Sequence, residues 1–290
     1  MKLSREDFGR ARDYLMAHGR PLEQSLFRHC FENGPASEAL GALRAHQAPE
    51  GGFFGMGEGP IDAPSPIGSV VAFEHLTDLK APSSEPLVQN GIRYFIETYD
   101  RGYAVWPEQV PDAGYLANNL PLHWGNPSAE IVGFLWFYRD LVPAGFLTEV
   151  TDLAMTNFRL VGDDLASCAG QCFLRCAEFL PQPYRDEILD AMIGGIARRS
   201  IECDYTKWDS EYFFKPYWYA MTPASPLYPV LREEVDRCLD FDIRTQEPDG
   251  SAWLTFSAGG ESRRIWKSVW TLESLRALKA YGRIERRTEC

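Results

Sequence analysis

The segment 245-TQEPDGSAW-253 lies between two stretches with helical spacing of apolar residues, REEVDRCLDFDIR (232–244) and IWKSVWTLESLRALKAYG (265–282). Much the same string, 46-HQAPEGGFF-54, lies between ASEALGALRA (36–45) and SPIGSVVAFEHLTDL (65–79). When Gln47 is laid over Gln246 the two regions run on without a gap. Identities recur at Pro49/Pro248, Gly51/Gly250, Ser69/Ser268, Val70/Val269, Glu74/Glu273, Leu76/Leu275 and Leu79/Leu278. Character is kept at Glu50/Asp249, Phe54/Trp253 and Asp62/Glu261. This is a repeated unit: helix, long loop, helix. Proline fixes its own φ and glycine permits the positive φ that ends a helix. The glutamine is expected to hydrogen-bond exposed carbonyls at the helix end while the aromatic covers the turn, so the string reads as a structural clasp.

Working outward, degenerate copies of the unit fill the chain. SEPLVQNGIRYFIETYDRGYAVW (84–106) leads to NPSAEIVGFLWFYRDL (126–141), and GFLTEVTDLAMTNFRLV (145–161) leads to DDLASCAGQCFLRCAEFL (163–180). YRDEILDAMIGGIARRSIE (184–202) precedes an aromatic loop, and the start supplies REDFGRARDYLMAHG (5–19) and LEQSLFRHCFEN (22–33). Pairing these gives about six helical hairpins and no strand, hence an all-α chain. Six hairpins closed in a ring form an (α/α)6 toroid, one set of helices lining a hollow. No Pro/Gly/Ser-rich linker divides the chain, so residues 1–290 are expected to form a single domain. The long loops 47–64, 100–126, 202–226 and 247–263 are then expected at one mouth, where function collects on a rigid scaffold.

Gln47, Gly51, Gly52 and Phe53, and then Gln246, Gly250 and Trp253, resemble the Gln-to-Gly-to-aromatic repeat of squalene-cyclase-type proteins. The chain thus resembles the α/α-toroid superfamily, which includes terpenoid cyclases and the catalytic subunits of protein prenyltransferases. The resemblance implies a fold far more than an activity. It departs at the chemistry: GDDL (162–165) and DFDI (240–243) fall short of the Asp-x-Asp-Asp acid. Asp163 and Asp164 lack the third aspartate of Asp-Asp-x-x-Asp, and ECDY (202–205) has no nearby histidine to complete a zinc site.

A net charge of −12 and a pI near 5.0 argue against nucleic-acid or anionic-membrane surfaces, whose affinity comes mainly from phosphate attraction. The charged start MKLSREDFGRARDY lacks the apolar core of a signal peptide, and the run IVGFLWFY (131–138) is far shorter than the ~20 residues of a membrane span. Cysteines in odd number, without disulfide-framework spacing, fit a reducing compartment, so a cytoplasmic location is expected.

The loops are rich in aromatic residues, among them Trp124, Trp208, Tyr212 and Trp253, which suit an apolar chain or stack on sugar rings. Helix N-termini favour anions, and ESRRIWK (261–267) adds Arg263, Arg264, Trp266 and Lys267 at one such start. Asp62 and Glu261 share a register just before inner helices, with Glu130 and Asp209 near equivalent positions, so these acids are general acid/base candidates. His123, beside Trp124, is the candidate proton carrier near neutral pH. Glu74 and Glu273, deeper in the inner helices, are read as structural hydrogen bonders. Cys168, Cys172 and Cys176 form a stripe that small buried residues at a helix contact explain better than a metal. No metal and no cofactor is expected.

The leading expectation is an enzyme or binder for a small, mostly apolar molecule with an anionic end, of isoprenoid cyclase or transferase type. A carbohydrate-active (α/α)6 hydrolase or lyase is the alternative. A non-catalytic module, whose aromatic loops hold a protein partner or close a homodimer, is the third.

Overall fold

A computed structural model describes residues 1–107, 124–162, 165, 167–255 and 259–285. Among them the chain is all-helical, with a few isolated bridges and no strand. The candidate His123 and the acids Asp163 and Asp164 lie outside the described residues. The helices are α1 Arg5–His18, α2 Pro21–Phe31, α3 Ala36–Arg44, α4 Pro66–Asp78, α5 Pro86–Thr98 and α6 Glu130–Phe137. They continue with α7 Ala144–Val161, α8 Ser167–Phe179, α9 Tyr184–Ala191, α10 Pro216–Tyr219, α11 Tyr228–Arg244 and α12 Gly260–Ala280. None is long and apolar enough to cross a membrane. The helices belong to two compact units, one of Leu43–Ser200 and one of Met1–Ala42 with Ile201–Cys290.

Local chemistry sets the helix starts. Ser65 caps α4 by accepting the Gly68 N–H at 3.1 Å, with Pro66 opening the first turn. Ser4 caps α1 in the same way through the Asp7 N–H. Proline also opens α2 and α5, where its missing N–H has no partner to lose.

In the unit of residues 43–200, α4 packs on α5 and α6, and α6 packs on α7 and α8. Phe73 stands at the centre, its ring 4.9 Å from Phe95, 5.6 Å from Phe134 and 5.9 Å from Tyr138. The approach of α6 to α8 is set by Gly133, where a Cβ would come within 2.9 Å of the Cys176 Cα. Any larger residue there would push the helices apart.

In the unit of residues 1–42 and 201–290, α1 and α2 pack on α12, and α11 packs on α10 and α12. Trp208 stacks on Phe213 at 4.7 Å, and both meet Phe241 edge-on.

The clasp repeats in detail. Gln47 Nε2 donates to the Gly51 carbonyl of its own turn at 2.9 Å and to the Leu87 carbonyl in the first turn of α5 at 2.9 Å. Gln246 Nε2 donates to the Gly250 carbonyl at 3.0 Å and to the Asp7 carbonyl in the first turn of α1 at 3.2 Å. Gly51 and Gly250 have φ of 100° and 89°, and a Cβ would lie 2.3 Å from Asn90 O in one case and from Arg10 C in the other. The glutamine therefore reaches past its own helix end to a neighbouring helix, and α1 stands to the second clasp as α5 stands to the first.

Candidate functional site

The polypeptide entering α6 is tightly held. Trp124, the residue before the turn Gly125–Ala129, has φ of 49° and donates its indole N–H to the Ala104 carbonyl at 2.7 Å. Ser128 Oγ accepts the Trp106 N–H at 3.1 Å. This fixes the register in which α6 begins at Glu130. Phe134 and Phe137 follow at helical spacing, on the same face as Glu130.

Glu130 is 2% exposed, although a first-turn acid is ordinarily solvated. The close packing at Gly133 presses it against α8, where Arg175 Nη1 donates to its Oε1 at 3.1 Å and its Oε2 at 3.4 Å. The same nitrogen donates to Glu74 Oε1 of α4. Three helices thus meet at one guanidinium. The Arg175 and Glu74 side chains are 33% and 26% exposed, so the cluster is wet on one side and sealed on the other.

Burial dominates the electrostatics. Desolvation pushes the Glu130 carboxyl up from 4.5 to about 8; Arg175 opposes the rise, and the nearby Glu74 carboxylate reinforces it. Glu130 therefore holds its proton to a higher pH than an ordinary glutamate does. The Cys172 thiol, hydrogen-bonded to Glu130, is pushed up by burial and by the Glu130 charge. Cys176 is raised for the same two reasons. Thiols held protonated in this way are poor metal ligands, and among the described residues no group of three or more His, Cys, Asp or Glu is arranged to hold a metal ion.

Beside the cluster runs an aromatic strip. Phe179, one turn beyond Arg175 on α8, lies 5.0 Å from Phe137 and 6.3 Å from Phe134. Phe137 is 37% exposed. A cation, a buried carboxyl and a partly exposed aromatic strip therefore share the α6–α8 contact.

The other unit holds a second buried polar cluster. Lys215, 2% exposed, donates to Asp242 Oδ1 at 2.8 Å and Oδ2 at 3.0 Å, and Tyr217 donates to Oδ2 at 2.7 Å. The ammonium sits 4.7 Å over the Trp270 ring. Asp242 also borders a recess lined by Gln246, Trp253, Thr271 and Ser274, whose inner space of about 20 Å³ matches a single water.

The remaining candidates are differently placed. Asp62, Asp209 and Glu261 are exposed, and Glu261 pairs with Arg264 at 3.1 Å, one turn apart on α12. Arg263 and Trp266 are half-buried. Lys267 donates to Ser251 Oγ at 3.0 Å and to Glu247 Oε1 at 3.4 Å, holding the second clasp to α12. Trp208 is buried, with its indole N–H on the Glu202 carbonyl at 3.0 Å. Tyr212 is half exposed and Trp253 borders the recess. Of the four described acid candidates, Glu130 alone is buried among charged partners. Sequence reading assigned Glu74 a structural hydrogen bond and singled out neither Arg175 nor Cys172 as a partner for Glu130. The available signal was an arginine inside the cysteine stripe, CFLRC (172–176).

No protein-family model matches the chain, and a search of curated proteins finds no match.

Proposed function

We propose that the protein is an acid/base enzyme acting on a small, mostly apolar molecule with an anionic end, in the manner of an isoprenoid-type cyclase or transferase. The observation that carries this reading is Glu130, a carboxyl 2% exposed and bonded at 3.1 Å to a guanidinium that solvent reaches. An anionic end approaching from solvent meets Arg175, whose planar fork suits carboxylate and phosphate. The apolar body lies along Phe137 and Phe179. Glu130 then donates its proton to the developing anion, one O–H bond breaking on Glu130 as one forms on the anion, and the Glu130 carboxylate left behind stays paired with Arg175.

The fold assigned to this activity is an (α/α)6 toroid. Its support is the paired clasp geometry and the placement of α1, which fills the position after α12 that α5 fills after α4. The cytosol is the assigned compartment, which suits the protonated thiols of Cys172, Cys176 and Cys238. A glycosidase reading draws less support from this cluster. Glycosidase carboxyls stand about 5 Å or more apart to flank the scissile bond, whereas Glu74 and Glu130 both accept from the one Arg175 nitrogen.

The test is a thermal-shift and native mass-spectrometry screen with prenyl diphosphates and fatty acids on the wild type, Arg175→Met and Glu130→Gln. The expected result is a bound ligand whose stabilisation falls in Arg175→Met and persists in Glu130→Gln. Absence of any bound ligand, or equal stabilisation in all three proteins, overturns the reading.

A further inference from the structure

A proton donor that is 2% exposed has to be recharged after each turnover, and the burial that keeps it protonated also keeps bulk water away. Around Glu130 the titratable and charged groups include Arg175, Cys172 and Cys176 from α8 and Glu74 from α4, and Glu178 of α8 in turn faces Arg175 and Glu74. Arg175 keeps its protons at any working pH, and the Cys172 thiol is itself buried. Glu74 differs from both: it is one-quarter exposed and shares the Arg175 nitrogen with Glu130, which brings the two carboxyl groups together.

We infer that Glu74 is the relay that carries protons between solvent and Glu130, with Arg175 Nη1 holding the two carboxyl groups in contact. In the recharging step the Glu130 carboxylate takes the proton of a protonated Glu74, one O–H bond breaking on Glu74 as one forms on Glu130. Glu74, left as a carboxylate, is reprotonated from water at its exposed edge. Arg175 remains a cation throughout and loses no proton. Glu74 acts through Glu130 and needs no contact with substrate. The inference deepens the acid/base reading above and rests on it for its biological meaning, while the proton exchange itself is measurable without a substrate.

The experiment is rapid-mixing infrared spectroscopy of the full chain transferred from H2O to D2O near neutral pH. The protonated-carboxyl C=O band that Glu130→Gln removes identifies Glu130, and the deuterium shift of that band times its proton exchange. The relay predicts that Glu74→Gln keeps the band and slows its exchange by about 100-fold or more, the lower end of what a positioned proton carrier contributes. Formate added to the buffer restores the rate by substituting for the missing carboxyl, and Glu74→Asp restores it in part. A purely structural Glu74 would change the band's position or amplitude and give no rate that responds to formate. Exchange as fast in Glu74→Gln as in the wild type, or slowed exchange that formate leaves unchanged, overturns the relay and leaves the acid role of Glu130 standing. If Glu130→Gln removes no protonated-carboxyl band at all, the acid role falls first and the relay falls with it.

Discussion

Replacing Glu130 by glutamine tests the electrostatics of the cluster without knowledge of any ligand. The amide matches the shape of a protonated carboxyl, keeps an acceptor for Arg175 and stays neutral at every pH. In the wild type the folded carboxyl titrates at about 8 against an ordinary 4.5, so between those values the native state holds a proton that the unfolded chain has released. Stability therefore falls as pH rises through that window and is fully retained only below the unfolded value. A difference of one pKa unit is about 1.4 kcal/mol, which places the whole effect at about 5 kcal/mol as an upper limit. From about pH 5 to about pH 7 the wild type is expected to lose about 2 kcal/mol through this group, or about 3 °C in Tm for a chain of this length.

Glu130→Gln should lose none of that. Urea unfolding of both proteins across the range, read as the difference between them, removes the titrations they share. The expected difference curve favours the variant increasingly as pH rises, by about 2 kcal/mol over those two pH units. Parallel curves would mean that Glu130 is already ionised in the native protein. The acid reading and the relay would then both lose their premise.

Three further outcomes are expected. Gly51→Ala and Gly250→Ala each force a side chain onto a positive φ with backbone 2.3 Å away, so each should lose about 3 kcal/mol or more in denaturant unfolding. Gln246→Ala removes two hydrogen bonds to the carbonyls of Gly250 and Asp7 and should cost about 1 to 2 kcal/mol, with faster amide exchange in α1. Lys215→Met leaves Asp242 buried without its cation and should cost about 3 to 5 kcal/mol, whereas the double change Lys215→Met with Asp242→Leu should recover most of it.

The helical class was legible because it rests on local signals. Apolar spacing marks α11 and α12, and proline or serine at the starts of α4 and α5 fixes their first turns. The clasp was legible for the same reason, since a glutamine, a proline and a glycine within five residues define a turn by themselves. Its outer contact was not. The Leu87 and Asp7 carbonyls that the glutamines reach lie 40 and 239 positions away, and no local pattern marks a backbone acceptor as the target of a distant side chain.

The candidate site divides along the same line. Glu130 could be named from its position before a helix, but its chemistry depends on partners 45 residues away at Arg175 and, through that arginine, another 101 residues back at Glu74. What brings them together is shape. A glycine at 133 lets α8 approach to the Cys176 backbone, and Cys172 and Cys176 supply side chains small enough for the helices to close. Asp62, Asp209 and Glu261 share Glu130's sequence setting, yet they remain exposed. An acid's pKa is raised here only where packing removes its water, and that burial is a property of the assembled helices. Of the stripe read in the sequence as buried filler at a helix contact, Cys172 and Cys176 are buried and help seal Glu130, whereas Cys168 is exposed. Enlarging Gly133 should lower the Glu130 pKa by letting water in, without touching any charged residue.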